Sequence, residues 1–265
     1  MKVTFLGTGT SHGVPSLDCM LGNFGPCPKG VCLRSLTDAK HARTRSSLLV
    51  ECAGKRVLVD VSPDFRQQAL REKIPSLDAV LITHSHADHI GGVPDIRSYT
   101  ARRAEPLPFY GSGESMAAIR AFFPYIFDPD AFVGGGIPRI STNAIDAGFE
   151  LFGLRISPFA VEHAGLKGCF GYRVNDMAYF PDVKFLPREA RAGLSGLDLL
   201  VLNCLRETRE HGSHLTLGQS MALARELRPR QCRFIHMSHD IDYETDGPKL
   251  DSWMAFAYDG LTIEI

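Results

Sequence analysis

Leu81-Ile82-Thr83-His84-Ser85-His86-Ala87-Asp88-His89 places three imidazoles and one carboxylate within six consecutive positions, directly behind an apolar run that begins at Ala79. Neutral imidazole and carboxylate are ligands for zinc-like divalent ions, and a tight turn at the end of a rigid strand can aim alternate side chains at two neighbouring metals. A solvent-facing turn has no use for three histidines. Ala79 to Thr83 reads as a continuous apolar strand, so the turn sits at its C-terminal end, where open α/β sheets place ligands. The following Gly91-Gly92 signals close backbone packing as a helix begins.

Outward from this turn, β-rich runs at Ser46 to Glu51 and Arg56 to Val61 flank Ala53-Gly54-Lys55, the signature of a hairpin. Val3 to Leu6 reads as a strand. So do Leu107 to Tyr110, Phe149 to Phe159, Phe170 to Val174, Met177 to Phe180, Leu197 to Leu202, Arg233 to His236 and Leu261 to Ile265. Helical patterning covers Asp64 to Glu72, Gly113 to Phe123, Leu217 to Leu227 and Lys249 to Phe256. Strand-heavy halves with interspersed helices indicate an α+β chain of two packed sheets covered by helices, not an alternating barrel.

The chain has 265 residues, 44% of them apolar, enough for a large core. No spacer, charge block or repeat divides it, so one domain over residues 1–265 is expected. A net charge of -1 argues against a polycationic surface for long nucleic acid. No stretch reaches the length of a membrane span and the first residues lack a signal-peptide apolar region, which gives the expectation of a cytoplasmic protein. Seven cysteines, an odd number, fit reduced thiols, some on metal, better than a disulfide framework. The glycine spacing in Gly7-Thr8-Gly9-Thr10-Ser11-His12-Gly13 is wrong for a dinucleotide fingerprint.

A two-metal site needs more donors than one loop offers. His163 follows the strand-like run Ile156 to Val161, Asp182 follows Ala178 to Phe180, and His236 ends Phe234-Ile235. Singly, each fits a turn or capping residue. Together with the histidine-rich turn, they resemble the metallo-β-lactamase superfamily, whose members carry His-X-His-X-Asp-His followed by separate His, Asp and His ligands. The resemblance implies an αββα sandwich of two mixed sheets with a dinuclear site in a groove along one edge. It implies that His84, His86 and His163 hold one divalent metal, that Asp88, His89 and His236 hold the other, and that Asp182 bridges them. Zinc and manganese both suit such donors.

Cys19, Cys27 and Cys32 lie within fourteen positions of a Gly/Pro-rich loop, three thiolates short of one partner for a tetrahedral zinc. His239, three residues beyond His236, can supply it. The opening Gly7 to Pro15 loop, this cluster and Ile235-His236-Met237-Ser238-His239 look like the PhnP-type phosphodiesterase branch, which resembles ribonuclease Z in its core. That branch carries a structural Cys3His zinc, although its first two cysteines are generally closer than the seven intervening residues found here. Cys52, Cys169, Cys204 and Cys232 are expected in the core.

The resemblance assigns His214, in His211-Gly212-Ser213-His214, as general acid, with Asp88 among the catalytic groups. The expected activity is hydrolysis of a small, cyclic-type phosphodiester. Thioester or lactone hydrolysis and a non-catalytic accessory role are the alternatives, and relatives suggest a homodimer. Asp60 is expected to order a ligand imidazole, and His12 to line the site. Arg43, Arg45 and Lys167 are candidate phosphate contacts, and His41 is expected to face solvent.

Overall fold

The computed structural model describes residues 1–22, 27–132 and 134–265. Six strands come first: β1 (Lys2–Gly7), β2 (Ser47–Cys52), β3 (Lys55–Val59), β4 (Ala79–Leu81), β5 (Leu107–Gly111) and β6 (Ile140–Ala144). They are followed by β7 (Phe149–Leu151), β8 (Leu154–Ala160), β9 (Phe170–Val174), β10 (Met177–Phe180), β11 (Leu199–Asn203), β12 (Gln231–Ile235), β13 (Met254–Phe256) and β14 (Thr262–Glu264). Two seven-stranded mixed sheets result, in the orders β14-β1-β2-β3-β4-β5-β6 and β13-β12-β11-β10-β9-β8-β7. In the first, β3 through β6 run parallel and the rest antiparallel. The second has the parallel run β10 through β13.

Strand alternation builds the layers. On β2, Leu48 and Val50 point to the inter-sheet core with Tyr172, Tyr179, Leu199 and Val201 from the second sheet. Leu49 points the other way, with Val80, Ile82 and Phe109, onto Phe65, Ile96, Met116 and Ile119. The second sheet repeats this: Leu200, Leu202 and Phe234 pack beneath Leu217, Met221 and Ala224. The expected αββα sandwich is the observed architecture.

The helix Leu217–Leu227 opens with a reciprocal cap, in which Thr216 Oγ1 accepts from Gln219 N and the Gln219 side chain accepts from Thr216 N. Three expectations change. Phe149 to Phe159 is two strands, because Phe152 and Gly153 both take positive φ (54° and 79°) and turn the chain. Lys249 to Phe256 is not a helix: Gly247–Lys249 is a 3-10 turn, and Met254–Phe256 pairs in parallel with β12. Strand β6, with one buried apolar residue, escaped the apolar-run criterion. No helix among the described residues is long and apolar enough to cross a membrane.

Candidate metal centre

Four segments converge at one edge of the sandwich, each just beyond the end of a strand. The His84 to His89 turn follows β4, His163 follows β8, Asp182 follows β10 and His236 follows β12. The turn becomes the short helix Ala87–Ile90, which packs so closely that a side chain at Gly92 would collide with the Ser62 carbonyl.

His84 Nε2 lies 3.0 Å from His86 Nδ1, and His163 Nε2 lies 3.2 Å from the same atom. Two nitrogens on one tetrahedral zinc stand about 3.4 Å apart, given bonds of about 2.0–2.1 Å, so these three donors have the spacing of ligands to a common ion. Asp182 occupies the middle. Its Oδ2 is 3.0 Å from His89 Nε2, and its Oδ1 is 3.3 Å from His236 Nε2 and 3.5 Å from His163 Nε2. Asp88 Oδ2 is 3.4 Å from His89 Nε2. Even so, His89 Nε2 and Asp182 Oδ2 are buried without a hydrogen bond among the described residues. Close approach without hydrogen-bond alignment is how two ligands aimed at one ion stand.

The opposite ring nitrogens are already engaged. His89 Nδ1 donates to Asp60 Oδ2 at 2.7 Å, and His163 Nδ1 donates to the Ser213 carbonyl at 3.0 Å. His236 Nδ1 meets Ser46 Oγ at 3.2 Å, and His84 Nδ1 meets Thr83 Oγ1 at 3.1 Å. Asp60 also accepts from Thr83 N and Thr83 Oγ1. It therefore has the ordering position expected of it, which fixes which nitrogen of His89 remains free.

Burial, and then the charge of His89, holds His84 well below the ordinary imidazole value. Burial and His163 lower His86 in the same way, and burial lowers His236. Neutral imidazole is the ligating form. Burial alone would raise the Asp182 carboxyl, but the charges of His236 and His89 outweigh it and hold Asp182 well below the carboxylate range. For His89 burial is outweighed by Asp182, Asp88 and Asp60, which hold it well above.

His214 stands beside this cluster, its Nδ1 buried without a hydrogen-bond partner among the described residues and 3.5 Å from Asp182 Oδ1. With His12, His211 and His236 it lines a cavity of about 250 Å³ that reaches His239. That residue belongs to the second cluster: Cys19, Cys27, Cys32 and His239 bring four donor atoms within 4.8 Å of one another. Cys19 Sγ is 3.2 Å and Cys32 Sγ 3.6 Å from His239 Nδ1. The widened cysteine spacing still closes. Cys169, Cys204 and Cys232 are buried as expected, whereas Cys52 is half-buried.

Of the expected phosphate contacts, Arg43 is corrected. Arg43 is buried, donating to the Ser238 and Ile241 carbonyls at 2.6 and 2.7 Å and stacking on Tyr243. It braces the loop carrying His236 and His239. Arg45 pairs with Asp64, and Lys167 is exposed. His41 does not face solvent: it is buried against Tyr243 and bonded to Asp38. The basic residues that do line the cavity are Arg206 and Arg209. Their position just beyond β11, ahead of the His211 to His214 loop, was the available signal.

Residues 55–237 match the beta-lactamase superfamily domain. A crystallised diphosphatase of the PhnP family superposes with a TM-score of 0.87 at 35% identity, covering 100% of this chain and 97% of that one. An octanoyltransferase of Porphyromonas gingivalis is 36% identical over 241 residues, 90% of this chain and 46% of that protein. A ribonuclease Z of Agathobacter rectalis is 32% identical over 167 residues, 59% of this chain and 47% of that one. The chain spans about half the length of these two curated relatives.

Proposed function

Starting from a chain that belongs to the metallo-β-lactamase superfamily, in its PhnP-like branch, we propose a metal-dependent phosphodiesterase acting on a small phosphodiester or phosphoanhydride. The carrying observation is the buried donor set around Asp182, with His214 against it and open to the cavity. His84, His86 and His163 would hold one divalent ion, Asp88, His89 and His236 the other, with Asp182 between them. Two such ions would supply an activated water and offset phosphoryl charge.

The protein's own groups do the rest. Asp60, Ser213 and Ser46 fix the ligand rings through their second nitrogens. The water would give up a proton as its oxygen bonds to phosphorus, the bond to the leaving oxygen would break, and His214, when protonated, would deliver the proton that oxygen needs. Burial and then the charge of His236 lower His214 to about 2, so its ring is neutral before substrate arrives. An anionic phosphoryl group against it favours the charged form.

The similarity to a diphosphatase along nearly its whole length supports phosphoryl chemistry. The likeness to an octanoyltransferase makes a thioester the proper control. Assays of the metal-loaded protein on bis-p-nitrophenyl phosphate, an acyl thioester and a lactone separate the readings. Metal-dependent turnover of the phosphodiester is expected; turnover confined to the acyl substrates overturns the proposal.

Cys19, Cys27, Cys32 and His239 would hold a separate structural zinc. Burial pushes the Cys32 thiol up to about 12, so a cation is needed to keep it as thiolate, and binding releases protons. Cys19→Ser or Cys32→Ser is expected to lose one zinc per chain and to lower Tm by several degrees, read by elemental analysis and thermal unfolding. Unchanged zinc content in both variants contradicts the site.

A further inference from the structure

Lys29 lies in the cysteine loop between Cys27 and Cys32. Its Nζ donates to Glu207 Oε2 at 2.7 Å and to Asp246 Oδ2 at 2.6 Å. Lys249 Nζ closes the ring from the other side, donating to Asp246 Oδ1 at 2.7 Å and to Glu207 Oε1. Asp246 is buried at the end of the short helix Tyr243–Asp246 and also accepts from Asp242 N at 2.9 Å. Two cations and two carboxylates thus share a ring of charge-assisted hydrogen bonds, the strong class. Hydrolysis at the metal centre uses none of the four.

Glu207 is where this ring meets the wall of the cavity. It directly follows Leu205 and Arg206, whose backbone is stitched to both flanks of His214: Leu205 N donates to the Leu215 carbonyl at 3.0 Å, and Leu217 N donates to the Arg206 carbonyl at 2.9 Å. Ser238 N, between His236 and His239, donates to the Leu205 carbonyl at 2.9 Å. Thr208, Arg209, Glu210 and Gly212, on the way back to His214, are exposed. A loop with so little packing of its own takes its course from its ends. Lys29 anchors the first of those ends to the cysteine loop.

We propose that Lys29 is a positioning residue for His214: through Glu207 it fixes the start of the loop that carries this imidazole to the metal centre. This rests on the phosphodiesterase reading and deepens it, because it gives the cysteine loop a part in the reaction as well as in stability. A misplacement of about 1 Å in a reacting group costs on the order of 100-fold in rate, so a modest shift of the loop is enough to be measured. Removing Lys29 leaves Lys249 on both carboxylates. No buried acid is then left bare, and the variant is expected to fold.

The test compares the metal-loaded wild type, K29M, E207Q and K29R on 2′,3′-cyclic AMP, whose leaving group is an alkoxide, and on bis-p-nitrophenyl phosphate. K29M and E207Q are expected to keep their bound metals and to lose about tenfold or more in kcat on the cyclic substrate. Their loss on bis-p-nitrophenyl phosphate is smaller, and K29R recovers most of the rate. Equal losses on both substrates, or none, overturn the positioning role, since a ring that only staples the fold does not distinguish one leaving group from another. Should the wild type cleave neither diester, the phosphodiesterase reading fails by itself, and amide hydrogen exchange across residues 207–214 still decides the clamp. Exchange about tenfold faster in K29M and E207Q and restored in K29R supports it, and unchanged exchange overturns it.

Discussion

Asp182→Asn is expected to strip at least one of the two proposed active-site ions and to reduce phosphodiester turnover by more than about 100-fold. Loss of a partner behind a ligand costs roughly 10–100-fold in affinity or activity, and Asp182 stands at the ligands themselves. Its two oxygens reach His89, His236, His163 and His214 within 3.5 Å. Asparagine keeps the volume but removes the charge that would offset both ions. The same carboxylate helps to hold His89 charged when no ion is present, so its loss also relaxes the metal-free cluster. Metal content after dialysis, measured beside turnover and circular dichroism, checks this. A folded variant with two bound ions and wild-type rate would remove Asp182 from its bridging role.

His214→Ala has the opposite signature, since it takes away a proton donor and leaves every ligand. Both ions are expected to remain, while turnover of a diester with an alkoxide leaving group falls by about 10²–10⁴. The loss on bis-p-nitrophenyl phosphate is smaller, because p-nitrophenolate departs without a proton. The sign of the pH dependence is set by the pKa that His214 has with substrate bound. A reaction that needs protonated His214 is lost as pH rises through that value, so the wild type shows an alkaline decline on the alkoxide substrate. The variant lacks that limb. Full activity of the variant on the poor leaving group would leave His214 without the role assigned to it.

The metal-binding turn was legible because its chemistry is local: three imidazoles and a carboxylate crowded behind an apolar strand serve little purpose besides ligation. His163, Asp182 and His236 could be found from the ends of other strands, since the sheets bring those ends to one edge. The helix Leu217–Leu227 was equally plain, with its apolar spacing and Thr216/Gln219 cap in the chain itself. The misread positions depend on partners distant in sequence. His41 follows a lysine and looks exposed, but Tyr243, two hundred residues on, covers it. Arg43 looks like a phosphate ligand until the Ser238 and Ile241 carbonyls are folded against it. Lys249 to Phe256 has apolar residues at helical spacing, yet β12 offers Met254 and Phe256 an open edge. Arg206 and Arg209 were missed because only the fold brings them to the cavity wall.

Anomalous diffraction from crystals of the metal-loaded protein tests the central claim most directly. Two peaks about 3.5–4 Å apart are predicted, one among His84, His86 and His163, the other among Asp88, His89 and His236, with Asp182 between them. A single peak, or none among these residues, would contradict a dinuclear centre.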